Sequence, residues 1–152
     1  MDTLQLNRLL WGCCKTRFHY IGCFPCNRIP PPSKYPSCMI VNLEPIGSGG
    51  THWVALYSPK PLHVFFFDSL GNPPNTCLTT YLSKNFQFIT RNKLRYQPSG
   101  SKLCGLYCAV FLYFMCNNSN SHIDTFEEFL ISLSKQSNID LYIKRFVHRN
   151  LM

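Results

Sequence analysis

Three apolar runs near the middle of the chain have the length and composition of buried β-strands. They are CMIVNL at 38–43, HWVALY at 52–57 and HVFFFD at 63–68, separated by a Gly- and Ser-rich loop at 47–50 and a Pro-containing turn at 58–61. Because polar residues do not alternate regularly with the apolar ones, the runs predict central strands that are covered on both faces. A further strand is predicted over residues 93–97.

Helical patterns flank these strands. Asp2 or Thr3 can cap an amphipathic helix that ends at Gly12, and a short helix is predicted over residues 77–84. The apolar run that begins near Cys104 is about 14 residues long. Because a membrane-spanning helix needs about 20 residues, this run predicts a buried core helix instead.

Two more helices are predicted toward the end of the chain. Asp124 and Glu127 have the spacing of a capping box, and a last helix is predicted from about Asn138. Apolar residues recur on one face of each predicted helix: Phe126, Phe129, Leu130 and Leu133 in the first, and Ile139, Tyr142, Ile143, Phe146 and Val147 in the second.

The remaining segment, residues 23–36, contains five prolines and predicts an ordered loop without any regular element. Together the patterns predict a single α+β domain over residues 1–152. Its expected architecture is a small mixed sheet packed on a buried central helix, with additional helices around them.

Charge and cysteine content bear on partners and setting. Lys and Arg number 15 against 7 Asp and Glu, a formal net charge of +8, so non-specific nucleic-acid binding and a merely solvated basic surface are both open. The first twelve residues lack the features of a signal peptide. Several of the nine cysteines lie in apolar stretches, and we therefore expect an intracellular protein with reduced thiols.

Four residues at the ends of predicted elements have side chains suited to thiol catalysis. Cys104 begins the buried helix, whose positive end stabilises a thiolate, and Gly105 after it leaves room for a substrate backbone. His52 begins a strand after the Gly-rich loop and could accept the thiol proton. Asp68 ends a strand and could orient the histidine, while Gln97 could donate to an oxyanion together with the Cys104 backbone N–H.

The order of these four residues along the chain, together with the residues around them, is typical of one protein family. The chain resembles the adenovirus maturation protease (adenain) family, within the wider clan that includes the Ulp1-type SUMO proteases. The similarity covers about residues 18–114. Its most specific segments are CMIVN at 38–42, GGTHW at 49–53, FFFDSLG at 65–71 and Q-x6-CGLYCAVFL at 97–112.

The resemblance implies a papain-like cysteine endopeptidase with Cys104 as nucleophile, His52 as base, Asp68 as orienting acid and Gln97 as oxyanion donor. It also implies cleavage after Gly in precursor proteins of an adenovirus-like virus or a Polinton-type element, with Trp53 walling a narrow tunnel.

For binding, the resemblance implies that Gly50 and Gly105 contact the substrate beside Trp53. It implies that no cofactor or metal is needed for the chemistry, and it makes DNA or a peptide candidate activators. We expect a monomer in the host nucleus or the virion, without membrane association.

Three departures from the family bear on these expectations. The adenovirus enzymes usually have Glu at the position of Asp68. They also carry a cysteine upstream of the glutamine that tethers an activating peptide, whereas here Cys77 lies farther back. The chain is also shorter than those enzymes, mainly after the catalytic helix.

Alternative functions stay open from the sequence. The same residues would serve a protease for SUMO or ubiquitin, or an acetyltransferase that uses Cys/His chemistry, and the charge would serve a non-catalytic nucleic-acid-binding module. Cys108 is a second candidate nucleophile. The CxxC at Cys23 and Cys26 has zinc-ligand spacing, with Cys13, Cys14 and His19 as further ligands on paper.

Overall fold

The computed structural model describes residues 1–44, 52–118, 121–135 and 138–152. Within these ranges, five strands form one sheet in the order β1-β2-β3-β4-β5, accompanied by five helices. The elements are α1 (Thr3–Gly12), β1 (Tyr20–Pro25), β2 (Ser37–Asn42), β3 (Trp53–Ser58), β4 (His63–Phe67), α2 (Thr76–Asn85), β5 (Phe88–Arg91), α3 (Cys104–Asn117), α4 (Ile123–Ser134) and α5 (Ile139–Asn150).

The sheet is mixed, as predicted. Strands β2, β3 and β4 pair antiparallel, while the outer strands β1 and β5 pair parallel with their neighbours. Successive side chains of a strand point to opposite faces, so Val54 and Leu56 join one apolar cluster and Ala55 and Tyr57 another. Both faces of the central strands are therefore buried, which confirms the interpretation of the three apolar runs.

Helix α3 is the centre of the larger cluster. Nine of its 14 residues are buried, and it packs against the face of the sheet that carries Ala55 and Tyr57. On this side the ring of Phe67 stacks on Phe111 at 5.0 Å and meets the edge of Phe126 at 5.2 Å. The predicted buried central helix is confirmed. In the described ranges, no helix combines the length and apolarity that crossing a membrane requires.

The cap of the first helix follows directly from local sequence. Asp2 Oδ1 accepts from the Gln5 backbone N–H, and Gln5 Oε1 accepts from the Asp2 backbone N–H, both at 2.8 Å. This reciprocal pair satisfies two amide groups that the helix itself leaves unbonded. The predicted cap at Asp2 and the end of the helix at Gly12 are confirmed.

Strand β1 extends into the stretch where the prolines predicted no regular structure, so that prediction is wrong for residues 23–25 and confirmed for residues 26–36. The strand covers the start of the Pro-rich stretch and ends at Pro25. It is the outer strand of the sheet and carries an irregularity between Tyr20 and Cys23, with Gly22 at φ 135°. An outer strand tolerates a terminal proline because the missing N–H need not bond to a neighbour.

Two local predictions near the site are also wrong. The last strand runs over Phe88–Arg91 rather than residues 93–97, because the backbone N–H groups of Lys93 and Leu94 donate instead to the Glu127 carboxylate. The cap of α4 is His122, whose Nδ1 accepts from the Asp124 N–H at 3.1 Å. Glu127 is therefore committed to a tertiary contact and not to a capping box.

Candidate active site

His52 stands immediately before β3, and its side chain is only partly exposed. Its carbonyl accepts from the Leu43 N–H at 3.1 Å, which holds it to the end of the neighbouring strand. Its Nε2 lies 2.7 Å from Asp68 Oδ1. Since Nε2 faces Asp68, Nδ1 is the ring nitrogen available to Cys104.

Asp68 follows the last residue of β4 and is wholly buried. Its Oδ1 also accepts from the Leu70 backbone N–H at 2.8 Å. Its other oxygen, Oδ2, is buried without a hydrogen-bond partner in the described part of the chain. A buried carboxylate with one oxygen unsatisfied is strongly destabilised unless a positive charge lies beside it. This arrangement favours the protonated form of His52.

The electrostatics of the cleft agree with this geometry. Burial lowers the pKa of His52, but the hydrogen bonds and charges of Asp68 and Cys104 outweigh it and raise that pKa from 6.5 to about 9. Burial raises the pKa of the Cys104 thiol, yet hydrogen bonding to His52 and to the backbone of Trp53 and Gly105 brings the pKa below its ordinary value. The two groups together favour a thiolate beside an imidazolium.

Cys104 is the first residue of α3, and its buried side chain sits at the positive end of that helix. The sheet face carrying Ala55 and Tyr57 packs on the same helix, so strand β3 and helix α3 fix the relative positions of His52 and Cys104. One turn farther along, the Cys108 thiol donates to the Trp53 carbonyl at 3.3 Å.

Gln97 is buried at the entrance to the segment that leads into α3. Its Oε1 accepts from the Ser69 hydroxyl at 2.6 Å, and its Nε2 donates to the Ser101 carbonyl at 2.7 Å. Its backbone N–H donates to the Ser69 carbonyl at 3.0 Å. A primary amide has a second N–H, which is suited to a ligand in the cleft that Gln97 and Cys104 both line.

His52, Trp53, Gln97 and Cys104 line one cleft of about 850 Å³, while Asp68 is wholly buried and bonds to His52. The exposed basic residues Arg95 and Lys102 also line the cleft and place positive charge at its rim. The structure therefore brings together the four residues that the sequence predicted to carry chemistry, which come from four separate segments of the chain.

Three residues were predicted to contact substrate. Trp53 lines the cleft, although its side chain is largely buried. Gly105 is buried, and a Cβ there would meet Leu6 Cδ2 at 3.2 Å and Trp53 Cδ1 at 3.5 Å, so its lack of a side chain accommodates packing in the core. Gly50 lies outside the described residues.

Two buried polar residues support the site in ways that the sequence did not predict: Asn92 was not singled out, and Glu127 was assigned to a capping box. Asn92 Oδ1 accepts from the Asp68 N–H at 2.9 Å, and Asn92 Nδ2 donates to the Asp68 carbonyl at 2.7 Å. Glu127 accepts from Lys93 N–H at 3.0 Å and from the Tyr96 hydroxyl at 2.5 Å. Together they fix the acid and the segment before Gln97. Isolated Asn and Glu residues give no sequence signal for such roles.

The alternative chemistry of the other cysteines has little geometric support. Cys108 is completely buried, and burial holds the pKa of its thiol well above the ordinary value. Cys23 packs against the larger apolar cluster and Cys26 against the smaller one, so the two thiols of the CxxC face opposite sides of the sheet. In the described ranges, no group of three or more His, Cys, Asp or Glu side chains is arranged to hold a metal ion.

The nine cysteines all lie in the described part of the chain, and no disulfide joins them. The Cys38 and Cys116 sulfurs are 3.7 Å apart, within thiol hydrogen-bonding distance. The expectation of reduced thiols is consistent with this arrangement.

Comparison with known proteins identifies similar sequences. A family model described as adenovirus endoprotease matches residues 22–151. The protease of Bovine adenovirus C serotype 10 is 27% identical over 96 residues, which cover 53% of this chain and 49% of that protein. The protease of Snake adenovirus serotype 1 is 33% identical over 90 residues, which cover 49% of this chain and 44% of that protein.

Among solved structures, the crystal structure of ASFV pS273R protease is similar with a TM-score of 0.52 and 14% sequence identity. The similarity covers 96% of this chain and 66% of that chain. At this identity the likeness concerns the fold alone, and it agrees with the predicted α+β architecture. The chain spans about half the length of the curated relatives it matches.

Proposed function

Because the chain belongs to the adenovirus endoprotease family, we propose that it is a cysteine endopeptidase with Cys104 as its nucleophile. The observation that carries this proposal is the position of His52, whose Nε2 lies 2.7 Å from the buried carboxylate of Asp68. The same ring hydrogen-bonds to the Cys104 thiol, whose pKa is thereby lowered. A thiolate at the start of a helix, beside an imidazolium, is the arrangement that acyl transfer to sulfur requires.

In the acylation step, the Cys104 thiolate attacks the scissile carbonyl carbon, and the carbonyl π electrons move to oxygen. The side-chain amide of Gln97 and the backbone N–H of Cys104 donate to that oxyanion. His52 then gives its proton to the leaving amine as the C–N bond breaks, and a thioester remains on Cys104.

In the deacylation step, neutral His52 takes a proton from water, and the resulting hydroxide attacks the thioester carbonyl. The C–S bond breaks, the carboxylic acid product leaves, and the thiolate and imidazolium are restored. Throughout, Asp68 holds the ring with Nε2 toward itself and Nδ1 toward sulfur.

The proposed substrates are precursor proteins of a virus or mobile element, cut after Gly. Trp53 supports this preference, because this bulky residue lines the cleft next to His52. The setting would be the host cell or the virion, with the protein acting as a monomer. Substrates with Ala or Val in place of Gly at the cleaved position should be processed more slowly.

DNA and a peptide are proposed as activators rather than as participants in the chemistry. The net charge of +8 supports attraction of DNA, and Arg95 and Lys102 place positive charge at the rim of the cleft. A peptide could add to the outer edge of β5, where Phe88 and Ile89 are exposed by 50% and 42%. Activation by DNA should weaken steeply as salt is raised, whereas activation by strand addition should not.

The test is turnover of fluorogenic peptides ending in Leu-x-Gly-Gly or Leu-x-Gly-x-Gly, with and without DNA. Wild-type chain should cleave and Cys104→Ala should not, while Cys14→Ala, which removes an exposed thiol, serves as the matched control. Equal activity of wild type and Cys104→Ala would contradict the proposal. Processing of SUMO or ubiquitin conjugates but not of viral precursor sequences would favour the modifier-specific protease instead.

A further inference from the structure

Ser69 is a wholly buried polar residue directly after the acid Asp68. Its hydroxyl donates to Gln97 Oε1 at 2.6 Å, and its carbonyl accepts from the Gln97 backbone N–H at 3.0 Å. One residue therefore binds both the backbone and the side chain of another that lies 28 positions later. A buried hydroxyl needs a hydrogen-bond partner, and the partner of this one, Gln97, lines the cleft.

This contact decides which end of the Gln97 amide faces which neighbour. With Oε1 held by the Ser69 hydroxyl, Nε2 donates to the Ser101 carbonyl at 2.7 Å. In the flipped amide, Oε1 would stand against that carbonyl oxygen, and two acceptors would meet without a proton between them. Removing the Ser69 hydroxyl would leave Oε1 buried without its donor and would weaken the preference for the productive orientation.

We infer that Ser69 is the positioning residue for the oxyanion donor Gln97, and that the turn at 68–69 serves both halves of the reaction. This inference rests on the proposed protease function. Asp68 in this turn orients the base, and Ser69 orients the amide. Asn92 anchors the same turn by bonding to both the N–H and the carbonyl of Asp68.

The experiment compares Ser69→Ala with Ser58→Ala in peptide turnover and in thermal unfolding. Ser58 is also a buried serine, whose hydroxyl donates to the His63 carbonyl at 2.7 Å in the sheet. Ser69→Ala should lower kcat by about 10- to 100-fold with KM nearly unchanged. Ser58→Ala should lower the melting temperature without lowering kcat of the folded protein.

Two further readouts separate positioning from general structural damage. The rate at which iodoacetamide alkylates Cys104, and its pH dependence, should be the same in Ser69→Ala as in wild type, because the thiolate–imidazolium pair is untouched. The double variant Ser69→Ala, Gln97→Ala should be no slower than Gln97→Ala alone, since Ser69 acts through Gln97. Additive losses, or altered alkylation of Cys104, would overturn the inference.

Ser69→Cys provides a second variant if Ser69→Ala does not fold. It nearly preserves the buried volume but offers only a weak S–H donor, so kcat should fall to an intermediate value. If Cys104→Ala is inactive but kcat is unchanged in either folded Ser69 variant, the inference is overturned and the proposed function still holds. A wild-type chain without Cys104-dependent turnover would instead overturn the proposed function, and the inference with it.

Discussion

The Nε2 atom of His52 lies 2.7 Å from Oδ1 of Asp68, a carboxylate that solvent does not reach. The ring is thereby held in one orientation, and a positive charge on it is stabilised. Oδ1 also accepts from the Leu70 backbone N–H, whereas Oδ2 has no hydrogen-bond partner in the described part of the chain, so the contact with His52 is the principal compensation of the buried charge.

Replacing Asp68 by Asn should reduce kcat by about a thousandfold or more, because the amide cannot stabilise an imidazolium and can select the wrong tautomer. The measurement is steady-state peptide cleavage at several pH values. Asn85→Asp, a change in a partly buried residue at the end of α2 away from the cleft, is the control and should retain activity. Retention of most activity by Asp68→Asn would contradict the assigned orienting role.

The pH dependence of kcat/KM should be a broad bell. Its acid limb should lie below the ordinary thiol range, because the pKa of Cys104 is lowered, and its basic limb should fall near pH 9, where His52 loses its proton. In Asp68→Asn the basic limb should move to lower pH. If the wild-type profile instead showed a single ionisation near the ordinary pKa of a thiol, it would contradict the thiolate–imidazolium pair.

The same raised pKa has a consequence for stability. The pKa of His52 is about 9 in the folded chain against 6.5 for an unperturbed histidine, so the charged pair contributes fully below pH 6.5. That contribution is lost progressively as pH rises from 6.5 through 9. Urea unfolding of wild type and His52→Ala across this range should show a difference that shrinks toward alkaline pH. A constant difference would argue against the pair.

Glu127 should contribute more to the free energy of unfolding than an exposed glutamate does, because its buried carboxylate accepts several hydrogen bonds. Glu127→Gln places an amide N–H₂ against the backbone donors of Lys93 and Leu94 or the Tyr96 hydroxyl, and should lower the free energy of unfolding by about 1–3 kcal/mol. The exposed neighbour Glu128 is the matched control, and Glu128→Gln should change it by less than about 0.5 kcal/mol. If the two substitutions changed the free energy of unfolding equally, the hydrogen bonds of Glu127 would not be stabilising the fold as argued.

The cysteines should differ widely in reactivity. Cys104 should be alkylated first near neutral pH, and exposed Cys14 should follow. Cys38 and Cys108 should react only on unfolding, because burial raises the pKa of both thiols and blocks the reagent. Timed alkylation with peptide mapping measures the order. Labelling of Cys108 as fast as Cys104 would support the alternative nucleophile.

Much of the fold was predictable because its central strands and helix are continuous apolar runs. The proposed site residues could be found for a similar reason, since His52, Asp68 and Cys104 stand where a strand or helix begins or ends. The residues that support the site could not be predicted from the sequence. Ser69 and Asn92 acquire their roles through contacts with residues 28 and 24 positions away, respectively, which no local pattern encodes.

Long-range contacts also explain the two wrong strand predictions, at β1 and at residues 93–97. Pro25 is compatible with a strand only because that strand is at the edge, and strand order is a tertiary property. The residues at 93–97 have a strand-like composition, yet a carboxylate from α4 and the carbonyl of Ser69 take their backbone donors. Local propensity was overruled in both places by long-range contacts.

The stacking of Phe67 on Phe111 and its edge contact with Phe126 have a consequence for how this molecule can change over time. Asp68 follows directly on Phe67, a fully buried ring, so its position is set by the packing of the core and not by the rim of the cleft. Lys102 is exposed at the rim of the cleft and can be replaced without disturbing that packing. In the proposed protease, substrate preference can therefore change by surface substitution, while the geometry of the proposed reaction is maintained by the requirement to fold.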